Sequence, residues 1–156
     1  MAPAMTKTSR SPSSSRPRAK RVMKISVESP ATRGYGFMLD DGCLRHWAKI
    51  IYEEVYGSDI LSKMTAKEAE EAIDLGLAVA PSVILQKVYR QFPRIPRLRR
   101  RLALVDPDEG RYVVVLKDNS SQAALSATIS PEDVEGVRKM LDLGEQKPRW
   151  HYLPQW

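Results

Sequence analysis

Apolar residues recur with two different periods along this chain, and the changes of period mark its elements. Met23, Ile25 and Val27 alternate with Lys24, Ser26 and Glu28, which predicts a strand over Val22–Glu28, closed by Ser29-Pro30. A second short strand is expected over Tyr35–Leu39. Leu44, Trp47, Ala48, Ile51 and Val55 then fall on one helical stripe, with Asp40 or Asp41 as N-cap, Gly57 as stop, and Arg45, Lys49 and Glu53 on the wet side. Thr65-Ala66-Lys67-Glu68 is a capping-box sequence that opens a second helix through Ala69, Ala72 and Ile73, expected to stop near Gly76. Pro81 suits a first helical turn, so a third helix is read through Leu85, Val88, Tyr89 and Phe92, ending at Pro93.

The second half reads differently. Leu102–Val105 and Tyr112–Leu116 flank Asp106-Pro107-Asp108-Glu109-Gly110, two β-prone runs around turn formers, which predicts a hairpin. Tyr112–Leu116 is apolar on both faces, as a central strand would be. Leu125, Ala127 and Ile129 alternate with polar neighbours and suggest another strand. Ser130-Pro131-Glu132-Asp133 opens a last helix that turns Val134, Val137 and Leu141 inward and closes at Gly144. The remaining residues carry Trp150, Tyr152, Leu153 and Trp156, whose rings are expected to dock on the domain. The fold class is α+β: a small, largely antiparallel sheet packed against about four helices, formed by residues 22–156 as a single domain.

Charge sharpens the division of the chain. Residues 1–21 are rich in serine, proline and arginine, and such a segment buries too little apolar surface to offset its ordering entropy, so a disordered basic tail is expected there. The tail holds six of the 25 Lys and Arg and no acid; removing those six leaves 19 basic against 19 acidic residues, so the net +6 belongs wholly to the tail. A neutral body argues against one large phosphate-binding surface, whereas the tail would steer toward an acidic partner. No apolar run approaches the roughly 18–20 residues of a bilayer span, so no membrane span is expected. The start of the chain has no apolar core of a secretory signal. The one cysteine, Cys43, leaves no intrachain disulfide and suits a reducing compartment. The localisation expected is nuclear or cytoplasmic, with the mitochondrion as the alternative for an Arg- and Ser-rich leader.

Arg33-Gly34-Tyr35-Gly36-Phe37 is the most suggestive local string. It resembles the start of the RNP1 motif of RNA-recognition domains, which implies base stacking by Tyr35 and Phe37. With the preceding strand and Asp40-Asp41-Gly42 after it, it is also similar to cold-shock domains over about 20 residues. The RNP1 likeness ends at Met38, Leu39 and Asp40, where the motif's last aromatic is missing, and the cold-shock likeness ends at Cys43–Tyr56, whose period is helical, so no family is assigned. The plainer reading is a glycine-loosened turn into a strand whose aromatics are core.

Six arginines fall between Arg90 and Arg101. Guanidinium forks pair bidentately with phosphates, so Arg94, Arg97, Arg99, Arg100 and Arg101 are candidate contacts, alongside Arg16, Arg18, Lys20 and Arg21 of the tail. The plainer reading is a solvated connector whose charges pair with Glu68, Glu70, Glu71 and Asp74. Cys43 and His46, near Asp41, are the nearest approach to a nucleophile set, but neither a metal spacing nor a cofactor loop occurs. No catalytic residue, metal or cofactor is therefore assigned. The function expected is a non-catalytic binding module, with nucleic acid or an acidic protein as the partner class. The alternative is a protein-interaction or regulatory domain whose tail serves targeting or solubility. A small enzyme using Cys43, His46 and Asp41 is the third reading. Nothing in the sequence specifies an oligomeric state.

Overall fold

The computed structural model describes residues 31–98 and 101–154. The basic tail and the expected strand Val22–Glu28 lie outside the described residues. Four strands form one antiparallel sheet: β1 (Arg33–Leu39), β2 (Leu102–Asp106), β3 (Arg111–Asp118) and β4 (Arg149–Tyr152), in the order β2-β3-β1-β4. The hairpin β2–β3 turns through Gly110 at φ 61°, a left-handed conformation that favours glycine. β3 lies inside the sheet, and its Val113–Leu116 are all buried, as a run apolar on both sides requires. Phe37, Leu39, Val114 and Leu116 face the helices, while Ala103, Val113, Val115 and Leu153 make a second, smaller cluster. The β1–β3 register shifts between Tyr35 and Gly36: Tyr35 pairs with Lys117 and Gly36 with Val115, leaving Leu116 as the extra residue of a bulge.

Helix α1 spans Asp41–Tyr56, capped where Cys43 N donates to Asp40 Oδ1 at 2.8 Å and ended by Gly57 at φ 111°. Leu44, Trp47 and Ala48 are buried as the stripe requires, but Val55 is 66% exposed, because the last turn of α1 runs past the core. The capping box opens α2 (Ala66–Gln91): Glu68 N donates to Thr65 Oγ1, and Thr65 N donates to Glu68 Oε2. Here the expectation of two helices is corrected. α2 runs unbroken through Gly76 and Pro81 for 26 residues. Gly76 does not stop it. A Cβ there would lie 3.0 Å from both Cβ and O of Ala48, so the glycine lets α1 and α2 cross closely. The Pro81 ring is buried, which offsets part of the helix hydrogen bond it cannot donate. Arg45 meets Glu70 and Asp74, and Glu54 meets Lys87, so contacts ascend together along both helices. The two therefore run in the same general sense, and the connector with its 3-10 turn Leu61–Lys63 carries the chain back.

Joining the two segments has a second consequence. Asp74 and Lys87 interrupt any pure apolar run, yet α2 as a whole is long and apolar enough to cross a membrane, with mean hydropathy 1.3 over its best window. Those are properties of length and composition; Ala72, Gly76, Ala80, Ile84 and Val88 lie in the core.

The expected strand over Leu125–Ile129 is also corrected. Ser121 Oγ accepts from Ala124 N and starts a short helix, α3 (Gln122–Ser126), leaving Leu125 42% exposed. Both sides of β3, the strand just before it in the chain, are already taken by β2 and β1, so β3 offers the segment no edge. Helix α4 (Pro131–Met140) has its proline in the first turn and buries Val137. β4 follows, and Leu153 just after it sits in the second cluster, but Trp150 stays 41% and Tyr152 65% exposed, contrary to the expected docking of both rings. Trp156 lies outside the described residues.

Candidate functional site

The arginine connector does not behave as one group. Arg94, just after α2, donates from Nη2 to Asp133 Oδ1 at 2.8 Å; the Asp133 side chain is buried and belongs to α4. Arg94 is thus spent on structure. The acids of α2 do not take up the connector either, since Glu70 and Asp74 are engaged by Arg45 of α1. Arg97 and Arg101 instead converge with Arg90, from the last turn of α2, on a hollow of about 390 Å³ lined also by Leu85, Gln86 and Tyr89. Among the described residues, no carboxylate lines it. Arg101 Cζ sits 5.4 Å from the centre of the Tyr89 ring, an ordinary cation–π distance. The Tyr89 hydroxyl donates to Pro96 O at 3.4 Å, which ties the connector to the helix. Burial holds the Tyr89 phenol above its ordinary range, with Arg101 and Arg97 pulling the other way.

Three guanidiniums without a carboxylate in the same hollow suit a phosphate or other oxyanion, by charge and by fork geometry. Arg97 and Arg101 are among the sequence candidates. Arg90 opens the same arginine run but is not among the candidate contacts, because it reads as an ordinary basic residue in a last turn. Arg16, Arg18, Lys20, Arg21, Arg99 and Arg100 lie outside the described residues.

The possible nucleophile set assembles only in part: Cys43 and His46 line one hollow of about 280 Å³, with Asp40 and Asp142 but without Asp41. Cys43 Sγ donates inward to Leu141 O at 3.7 Å, and burial, with Asp40 and Asp142 nearby, pushes the thiol up to about 11. Asp41 is held by Arg45 Nε at 3.0 Å, and His46 is exposed. A thiol protonated at neutral pH, with no hydrogen bond to His46 among the described residues, is not an activated nucleophile.

The Arg33–Phe37 string divides as well. Phe37 is fully buried in the helical core and cannot stack on a base. Gly36 is demanded by packing, since a Cβ there would lie 1.8 Å from Val114 O. Tyr35 alone reaches the edge, its ring centre 5.5 Å from that of Trp150. Neither protein-family models, nor curated proteins, nor solved structures give a match to this chain. The residues themselves carry the functional reading.

Proposed function

We propose that this chain is a non-catalytic binding module for an acidic partner, with nucleic acid as the class that fits best. The folded body contributes the hollow of Arg90, Arg97 and Arg101, and the tail contributes Arg16, Arg18, Lys20 and Arg21. The observation that carries the reading is the convergence of three arginines on a hollow without a carboxylate, while the neighbouring Arg94 is matched to Asp133. Segregation of the whole net charge into residues 1–21 supports it.

Phosphate contacts release counterions, so affinity for single-stranded RNA or DNA should fall steeply with salt. Fluorescence anisotropy across a salt series tests this on the full chain. Replacing Arg97 and Arg101 with alanine should weaken binding and flatten the log–log salt slope by about 1.4, the value for two phosphate contacts on a single strand. Replacing the four tail cations should flatten it further. Binding that ignores salt, or that ignores both sets of substitutions, rejects the reading.

A second reading, a protein-interaction domain, is favoured by Leu75 and Val79, 75% and 48% exposed one turn apart on α2. Leu75→Lys with Val79→Lys should then abolish capture of a protein partner, whereas Arg97→Ala with Arg101→Ala should leave it intact.

A further inference from the structure

The strip where β1 and β4 pair carries aromatic and cationic side chains on one face. Arg33 pairs with Tyr152 and Tyr35 with Trp150, while on the other side Tyr35 pairs with Lys117 of β3. Directly paired residues share a face, as do residues two apart along a strand. All five side chains therefore point the same way, beyond the margin of the helices. Arg33 Cζ lies 4.4 Å from the centre of the Tyr152 ring, and its Nη2 donates to the Tyr152 hydroxyl at 2.5 Å. Lys117 Nζ lies 6.0 Å from the Tyr35 ring and 5.7 Å from the Trp150 ring, donating to Leu125 O and Ala127 O. Tyr35, Lys117 and Trp150 of this strip line an open groove of about 590 Å³, whose other wall is residues 126–129 with Pro131, Val134 and Glu135 of α4. Its one carboxylate, Glu135, is already held by both Arg138 Nε and Nη2.

We propose that this aromatic–cationic strip is a stacking platform for the bases of a single-stranded nucleic acid. The inference deepens the reading of the chain as a nucleic-acid-binding module and rests on it for the class of partner. Charge complementarity selects the occupant. Arg33 and Lys117 give the strip a positive field that suits a polyanion and repels a basic peptide such as residues 1–21 of the chain itself. Spacing selects the single strand. The Tyr35–Trp150 and Arg33–Tyr152 rungs lie two residues apart along the strands, about 6.7 Å, roughly twice the rise of a base-paired strand. Adjacent bases reach both rungs only when splayed from one another, as unpaired bases are. The rings offer faces rather than a hydrogen-bond code, so the platform should tolerate sequence.

The test uses the full chain and three anisotropy probes: a single-stranded oligothymidylate of about eight nucleotides, an abasic deoxyribose-phosphate oligomer of the same length, and a proline-rich peptide. Trp150→Ala and Tyr152→Ala should each weaken oligothymidylate binding at least about fivefold, the low end for loss of one stacked base. Neither should change binding of the abasic oligomer. Trp150→Phe keeps a stacking ring and should retain most of the affinity. Tyr152→Ala at an exposed edge keeps the test valid should Trp150→Ala loosen β4, and circular dichroism checks the fold of each variant. Equal losses on both oligomers, no loss on either, or peptide binding that alone depends on Trp150 would overturn the platform. Arg97→Ala with Arg101→Ala separates the two readings. It should weaken both oligomers if the hollow takes phosphate. If it weakens neither while the aromatic variants behave as expected, the hollow falls and the platform stands.

Discussion

Gly36→Ala isolates what the glycine-aromatic string is for. An added Cβ would meet Val114 O at 1.8 Å and Val114 C at 2.8 Å, both backbone atoms of the neighbouring inner strand. Relief to the 3.0 Å that real Cβ contacts keep requires β1 and β3 to part by more than 1 Å at the bulge. A ladder hydrogen bond near 2.9 Å stretched by that much leaves the bonding range. Two such bonds opened beside a buried core, at ~1–3 kcal/mol for each unsatisfied pair, predict a loss of about 3–5 kcal/mol. For a chain of this size that lowers the melting temperature by roughly 6–20 °C. Gly34→Ala is the internal control. Its Cβ would meet only side-chain methyls, Val115 Cγ1 and Cγ2 and Leu153 Cδ1, at 2.9–3.0 Å. Those can shift, so its cost should be about 1–2 kcal/mol. Urea denaturation of both variants, with the m-value checked, measures the difference. A cost below about 1 kcal/mol for Gly36→Ala, or equal costs at the two sites, would refute the assignment of Gly36 to backbone packing.

Two further expectations concern titration and capping. Iodoacetamide should alkylate Cys43 in the native chain about a hundredfold or more slowly than a free cysteine at pH 8, because a thiol pushed up to about 11 is almost wholly protonated there. Since the folded value lies above the unfolded one, the matching stability is complete below the unfolded value and fades as pH rises toward 11, which alkaline urea titrations would register. Glu68 is held below its ordinary value by hydrogen bonds from the Thr65 backbone and hydroxyl, so its contribution is present above pH 4.5 and lost on acidification. Thr65→Ala should cost about 1 kcal/mol at neutral pH and flatten that acid limb; an unchanged limb would mean the box is not closed in solution.

Elements with local punctuation were legible from residues alone. Asp40 before α1, the Thr65–Glu68 box and Pro131 in the first turn of α4 each act through atoms three or four residues away. The failures come from residues whose meaning is set at a distance. Gly76 looks like a helix stop until Ala48 is seen against it, and Pro81 looks like a helix start until its ring is found buried. The alternation at Leu125–Ile129 satisfied the strand rule, but a strand needs an edge, and β3 had none left. Of the candidate contacts, Arg94 and Arg97 are three residues apart and alike in sequence. Only the position of Asp133, 39 residues further on, separates the structural arginine from those left to the hollow.

The β4 strip shows how folding requirements and surface chemistry part company. Several contacts that hold this short edge strand do not involve its large rings. Leu153 fills the second core cluster, and its N–H donates to Thr32 O at 2.9 Å. Just before β4, Gln146 clamps Met38, accepting from its N–H at 2.8 Å and donating to its carbonyl at 3.1 Å. Asn119 does the same for Arg33 at the opposite end of β1, accepting its N–H at 2.7 Å and donating its own N–H to the Arg33 carbonyl. Trp150 and Tyr152 stay 41% and 65% exposed, and a polar residue at either place would leave Leu153, Gln146 and Asn119 untouched. Large rings exposed on a strand paired along β1 and anchored on either side by Gln146 and Leu153 lose little entropy on meeting a flat ligand, since their backbone is already ordered. That pre-organisation, together with the cations beside them, rather than exposure alone, separates Trp150 and Tyr152 from Val55, which is 66% exposed at the last turn of α1.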